Sequence, residues 1–454
     1  MTKSNLRAHA TRRSRGPAPS LRWLATLVAC TITIVACSTS RLLDVQAPNS
    51  VPATVFSDPA NASLMVNSMI GDFECAFGGY VLASGIATDE LIDATITAAN
   101  WQMDRRDDGF TSGSYGTASC TSTQGIYTPL STARWEADQA VTSLGKWTDA
   151  QVVNRQLLLA QSNLYAGFSY AALGMSMCQA SFDLGAPVDQ KGMFALAEKR
   201  FTDAITIAGA IPNASILNAA YVGRARVRLF QHNAAGAIAD AQLVPKGFVF
   251  NATTDAANAR RYNHVYNAIV QGGSVTVEPT ARALTTENNE IDPRAATVKI
   301  TTKASDGVSL MYSPTKYNAA SSTVGWAIPH PIARYEEAQL IIAEATGGAG
   351  AVAPINAMRT TAGLKAYTGP TDAASITTLI ASERQRVLFV EGFRMFDVER
   401  FNLPLAPAAG TAYRFGGFYG HTVCMPLPDI ERINNPSVDP TTLITGVQGA
   451  FPLP

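Results

Sequence analysis

Charge is scarce in this chain. Asp, Glu, Lys and Arg make up 15% of its 454 residues, against roughly 25% in an average globular protein. The first 36 residues contain no acid, only Lys3, Arg7, Arg12, Arg13, Arg15 and Arg22. Beyond them, 35 acidic residues face 29 basic ones, a net −6 hidden under formal neutrality. A mildly acidic body argues against a nucleic-acid partner. Histidine is rare and dispersed, at positions 9, 232, 264, 330 and 421, and no CxxC or paired-His spacing marks a metal. GxSxG, HExxH, a phosphate-binding glycine loop and an EF-hand pattern are all missing. Together these absences point away from an enzyme and imply no cofactor and no metal.

Long apolar runs are missing too. Trp23 to Ala36 is uncharged but too short for a comfortable membrane span. It follows a basic stretch and ends in Ile34-Val35-Ala36-Cys37, the pattern of a bacterial lipoprotein signal whose Cys37 becomes the lipidated (palmitate-type) first residue. Leu27-Val28-Ala29-Cys30 fits the same pattern after a shorter apolar run. Residues 1–36 are therefore read as a signal peptide and 37–58 as an extended tether. Export permits disulfides among Cys75, Cys120, Cys178 and Cys424. Three pairings are open; Cys75 and Cys178, both in expected helices of the N-terminal half, form the favoured one.

What remains, 59–454, reads as a single mainly α domain. Ser57-Asp58-Pro59 opens a helix expected to bend at Gly78-Gly79. Residues 98–128, within a loop-rich stretch of about 84–129, lack any period and contain Trp101, Phe110, Tyr115 and Tyr127. Helical texture then fills 130–146, 150–178, 190–209, 215–231 and 233–244. The small residues Ala219, Ala220, Gly223, Ala225, Ala235, Gly236, Ala237 and Ala239 suit two close antiparallel helices, a hairpin like a tetratricopeptide (TPR) unit. Such hairpins stack, so TPR-like scaffolds are expected over about 130–246 and 331–400. A second loop-rich region, about 247–330, interrupts them, with short strands at 298–302 and 308–312 around the Asp306-Gly307 turn.

Later helices are expected at 332–345, 351–362 and 373–400. The last contains Glu383 to Phe401, apolar residues threaded with Glu383, Arg384, Arg386, Glu391, Arg394, Asp397, Glu399 and Arg400. At helical spacing Glu391, Arg394 and Asp397 meet with alternating sign, so the stretch reads as a core helix with an internal ion ladder, bent near Gly392. The candidate ligand surface lies elsewhere. Trp101, Tyr115, Tyr317 and Trp326 put aromatic rings into irregular segments, and aromatic faces suit the C–H faces of sugar rings.

The ordered motifs resemble the SusD/RagB family of outer-membrane nutrient-binding lipoproteins. The matching residues are Leu43-Asp44-Val45 and Pro48-Asn49-Ser50 after the Cys, and Asp292-Pro293-Arg294. Further on come Arg334-Tyr335-Glu336-Glu337, Ala343-Glu344-Ala345, Asn356 and Arg359. Glu383-Arg384, Glu391-Gly392, Arg394, Phe396-Asp397 and Arg400 follow, and Pro426, Pro428, Asn435 and Pro436 close the set. Departures are Val398 after Asp397, where Leu is usual, and Cys424 before Met425-Pro426. The resemblance implies a non-catalytic, cell-surface, outer-membrane lipoprotein that binds carbohydrate or another extended nutrient and partners a SusC-like TonB-dependent transporter. Two other readings stay open: a TPR-like envelope scaffold without a small ligand, and a carboxylate-based glycan hydrolase.

Overall fold

The computed structural model describes residues 56–107 and 114–439. Cys30, Cys37, the signal segment and most of the tether lie outside these residues. A long helix, α1 (Ala62–Ile86), follows a 3₁₀ turn at Pro59–Asn61. The turn is capped by Asp58, whose side chain accepts from the Ala60 amide at 2.9 Å. The expected bend does not occur, and α1 runs unbroken through Gly78 and Gly79. These glycines serve close approach instead. A Cβ on Gly78 would lie 2.7 Å from the His264 ring, and one on Gly79 would lie 2.7 Å from the Cys120 carbonyl oxygen. The aperiodic stretch also corrects the sequence reading. After the strand β1 (Leu91–Asp93), residues 98–105 form a helix, α2 (Ala98–Arg105).

Past a single turn of helix at Ser114–Thr117, five helices fall close to expectation: α3 (Tyr127–Lys146), α4 (Arg155–Ser176), α5 (Gln190–Ala210), α6 (Ala214–Phe230) and α7 (Ala234–Ala241). Each packs on the next, and α1 packs across α3 and α4. Such stacking is what a helical hairpin requires to bury its apolar face. The middle helix, α4, is buried almost all round from Ala160 to Ser176. Its polar residues survive there because Ser162, Ser169 and Ser176 donate to carbonyls four residues back at 2.8, 2.9 and 2.8 Å. Gly223, expected to admit α7, instead faces α5: with Gly167 it leaves room for the Phe201 ring, which a Cβ at either site would strike.

Between the two helical blocks lie short antiparallel pairs. Strand β2 (Val249–Ala252) pairs with β6 (His330–Arg334), with a bulge at Phe250/Asn251, and β1 pairs with β3 (Val275–Val277). Strand β4 (Thr297–Lys299) pairs with β5 (Tyr312–Pro314), Lys299 facing Tyr312. The expected hairpin is thus shorter and its loop wider. Asp306 caps that loop by accepting from the Val308 and Ser309 amides at 2.9 and 2.8 Å. After the short helix α8 (Ser322–Trp326) come α9 (Tyr335–Thr346) and α10 (Val352–Thr361).

The single expected helix over 373–400 is two: α11 (Ala373–Val387) and α12 (Arg394–Arg400). Val390 and Gly392 in the turn between them have φ of 51° and 86°. A β-branched residue in the left-handed region is strained by about 1–3 kcal/mol, so the surroundings must hold it. The Tyr317 hydroxyl donates to the Val390 carbonyl at 3.1 Å, and the Val390 amide donates to Glu90 Oε1 at 2.9 Å. Tyr80 donates to the Gly392 carbonyl. Gly392 is required twice, by its φ and because a Cβ would lie 2.6 Å from the Tyr80 ring.

The disulfides also differ from the favoured pairing. Cys75 bonds Cys120, and Cys178 bonds Cys424. The first ties α1 to the loop before α3. The second ties the end of α4 to the C-terminal segment, which also pairs there through Met177 and Met425.

Candidate functional site

The expected ladder of Glu391, Arg394 and Asp397 along one helix does not form; apart from the i,i+3 pairs Glu383–Arg386 and Asp397–Arg400, the broken helix aims its charges at other elements. Glu391 accepts from Lys316 at 2.6 Å and Arg334 at 3.0 Å. Arg394 grips Asp89 with two bonds of 2.6 Å. Asp397 accepts from Arg384 and Arg400, each at 2.9 Å, and Arg400 continues to Glu344. Glu383, fully buried, meets Arg359 at 2.7 Å, Arg386 at 2.7 Å and Arg294 at 2.9 Å. Burial pushes the Glu383 and Asp397 carboxyls up, but the surrounding guanidinium groups outweigh it and hold both below the ordinary range. Each of these carboxylates is held in ion pairs by the protein itself, as expected of a structural constellation. Its members are largely the motif residues: Asp292, Arg294, Arg334, Glu344, Arg359, Glu383, Arg384, Glu391, Arg394, Asp397 and Arg400.

The four aromatic candidates separate into two pairs. Tyr115 and Tyr317 are each 1% exposed, and their hydroxyls donate to the Pro426 and Val390 carbonyls at 2.8 and 3.1 Å. They are core residues, and their expected ligand role is withdrawn. Burial of both faces left a Tyr no ring surface to offer, which aromatic spacing alone does not reveal. Trp101 and Trp326 remain half-buried, and each stacks on a partner the sequence reading did not single out.

Trp101 lies on α2, its indole N–H donating to the Thr95 carbonyl at 3.2 Å. The Phe415 ring stacks on it at 4.7 Å, 15° from parallel. Phe415 sits at the tip of a turn, where the Tyr413 amide donates to the Gly417 carbonyl at 3.0 Å. The Tyr413 hydroxyl donates to Asp104 at 3.0 Å beneath the pair, and burial lifts that carboxyl to about 7. Arg414 anchors the turn by donating to Asp306 at 2.7 Å, and its guanidinium lies 4.6 Å from the Phe415 ring. Gly410, Gly416 and Gly417 around Tyr413-Arg414-Phe415 were the available signal for this turn.

Trp326 closes α8, with its indole N–H donating to Asn267 Oδ1 at 3.0 Å. Tyr262 stacks on it at 4.4 Å, 9° from parallel. Asn263 fixes the pair, its amide donating to the Trp326 carbonyl at 2.8 Å and its side chain to the Ile328 carbonyl at 2.8 Å. In both pairs one ring covers one face of the Trp while the Trp keeps solvent exposure. That makes a rigid apolar platform with hydrogen-bonding groups close by.

Residues 247–427 match the SusD_RagB profile of the SusD family. Over this stretch, about two fifths of its length, the chain is similar to the SusD family. Solved structures carry the likeness through the rest of the fold. A SusD-like carbohydrate binding protein from Bacteroides vulgatus ATCC 8482 superposes with a TM-score of 0.64 at 13% identity, over 84% of this chain and 98% of that one. A laminarin binding SusD-like protein gives 0.56 at 15% identity, over 76% and 92%. Surface glycan-binding protein A from Bacteroides fluxus gives 0.55 at 14% identity, over 75% and 89%. At such identities the likeness is one of fold. No curated protein matches the sequence. The mainly α, TPR-like SusD architecture read from the sequence is the observed one.

Proposed function

We propose that this SusD-like chain is a non-catalytic, lipid-anchored protein of the outer-membrane surface that binds an oligosaccharide and delivers it to a SusC-like TonB-dependent transporter. The observation that carries the reading is the pair of braced aromatic platforms, Trp101 on Phe415 and Trp326 on Tyr262. Each offers a flat apolar face of the kind that sugar C–H faces cover. Glycan binding by relatives of this fold supports the ligand class. Anchoring rests on Cys37, or on Cys30 if cleavage occurs at the earlier site. No helix among the described residues is long and apolar enough to cross a membrane.

Binding of the purified chain to a panel of neutral and acidic oligosaccharides tests the ligand. A saturable glycan that is lost in Trp101→Ala or Trp326→Ala supports the reading. Retained affinity in both variants, or release of shortened products from the bound glycan, overturns it. Co-purification of an outer-membrane barrel with the native chain tests the partner.

A further inference from the structure

One cleft lies apart from both platforms. It has a volume of about 660 Å³ and lies among β6, α9 and α10. Val249, Pro331, Met358 and Val387 give it apolar walls. Lys316 and Arg334 line it and share Glu391. Both Glu391 oxygens are used: Oε1 accepts from Lys316 at 2.6 Å and Arg334 Nη2 at 3.1 Å, and Oε2 accepts from Arg334 Nε at 3.0 Å. An ammonium has three donors. Lys316 gives one to Glu391 and has no other acceptor among the described residues. Lys246 also lines the cleft; it is exposed and has no carboxylate partner among the described residues. Arg294 is neutralised from behind by Asp292 and Glu383. The remaining lining carries three cations, Lys246, Lys316 and Arg334, against two carboxylates, Glu336 and Glu391. The cleft is therefore apolar in its walls, positive in its balance, and has N–H donors to spare.

We infer that this cleft binds a carboxylate attached to an apolar or flat-ringed body. The carboxylate takes the open donors of Lys316 within the field of Lys246, and the body covers Val249, Pro331 and Met358. A net positive, donor-rich cleft rejects a cation and leaves a neutral ligand with unmatched donors. Two sources supply this chemistry, a free aryl carboxylic acid or a uronic-acid residue of a glycan. The site is independent of the aromatic platforms.

Calorimetry of the purified chain with benzoate, the methyl glycoside of galacturonic acid, and the neutral benzamide and methyl galactoside tests this. At least one acid is expected to bind saturably, at least tenfold tighter than its neutral counterpart, since the discrimination comes from charge-assisted bonds. Benzoate alone identifies the free-acid source, and the galacturonate alone identifies the glycan source. Lys246→Glu, on an exposed residue whose loss leaves the fold intact, weakens the acid about fivefold. Ala357→Trp, on an exposed lining position, fills the cleft and abolishes binding, while Trp101→Ala and Trp326→Ala leave it unchanged. Equal binding of acid and neutral analogue, no saturable binding of either acid, or acid binding that survives Ala357→Trp overturns the proposal.

Discussion

The Glu383–Arg400 lattice and the Trp101–Phe415 platform use the same kinds of residue to opposite ends. In the lattice, Arg394 is bonded twice to Asp89 with both groups nearly dry. At the platform, Arg414 bonds Asp306 from an exposed position and lies against the Phe415 ring. Burial within ion pairs makes a charge structural, because removing one partner leaves the other poorly solvated. Partial exposure of an aromatic ring leaves something for a ligand to cover. Residue type does not separate the two regions; the count of unsatisfied, accessible groups does.

Breaking the lattice is expected to give the largest effect. Glu383→Ala removes the carboxylate shared by Arg294, Arg359 and Arg386, leaving them only Asp292 and Glu287 among the described residues, and the loss should be about 3–5 kcal/mol, as for a broken buried pair. Arg394→Ala leaves Asp89 with no paired cation among the described residues and only the Gln385 side-chain amide at 3.3 Å, and is expected to cost about 3–5 kcal/mol. Denaturant unfolding measures both. Folded Arg394→Ala should keep its glycan affinity; unchanged stability with lost binding would reverse the roles assigned to the two regions.

The disulfides follow in size. Replacing both cysteines of a bond by Ser should cost about 2–5 kcal/mol. The Cys178–Cys424 bond closes 246 residues against 45 for Cys75–Cys120. In the chain-entropy picture its loss should cost about 1.5 kcal/mol more. Equal losses in thermal unfolding would argue that chain entropy does not govern these bonds.

Trp101→Ala sharpens the comparison from the other side. It should weaken glycan binding by about tenfold, in keeping with roughly 1.4 kcal/mol of lost stacking, with little change in melting temperature. A collapse of stability instead would move Trp101 into the lattice class.

A further expected effect is one of pH. Burial pushes the Glu90 carboxyl up to about 8, beside the strained Val390 turn. A folded-state pKa raised above the unfolded value gives stability that is present below the ordinary carboxyl range and lost as pH rises through about 8. The lattice acids Glu383, Glu391 and Asp397 are held low, so their contribution is instead lost in acid. Glu90→Gln should raise the melting temperature at alkaline pH and leave it unchanged near pH 4, where the native acid is already neutral. A uniform shift at both pH values would remove Glu90 as the titrating group.

The motif residues of the lattice were legible because paired buried charges leave dense, ordered patterns in one stretch of chain. Their partners were not: Asp89 lies 305 positions from Arg394. A helix period runs through 373–400 on paper, but nothing in that period announces that Tyr80, Tyr317 and Glu90 capture a left-handed turn at Val390. Trp101 and Trp326 were visible as aromatics in aperiodic segments, and so were Tyr115 and Tyr317, which proved to be core. Telling them apart requires knowing what lies on the second face of each ring.

By itself, then, the chain's order of small, apolar and charged residues determined the stacked helical hairpins, since those rest on local periodicity and close approach within about 30 residues. It also determined which charges must be buried. Tertiary structure decided which cysteines pair, where the last helix breaks, which carboxylate each arginine holds and which aromatic rings stay partly exposed. All four depend on groups brought together from distant parts of the chain, and spacing along the chain carries no record of that meeting.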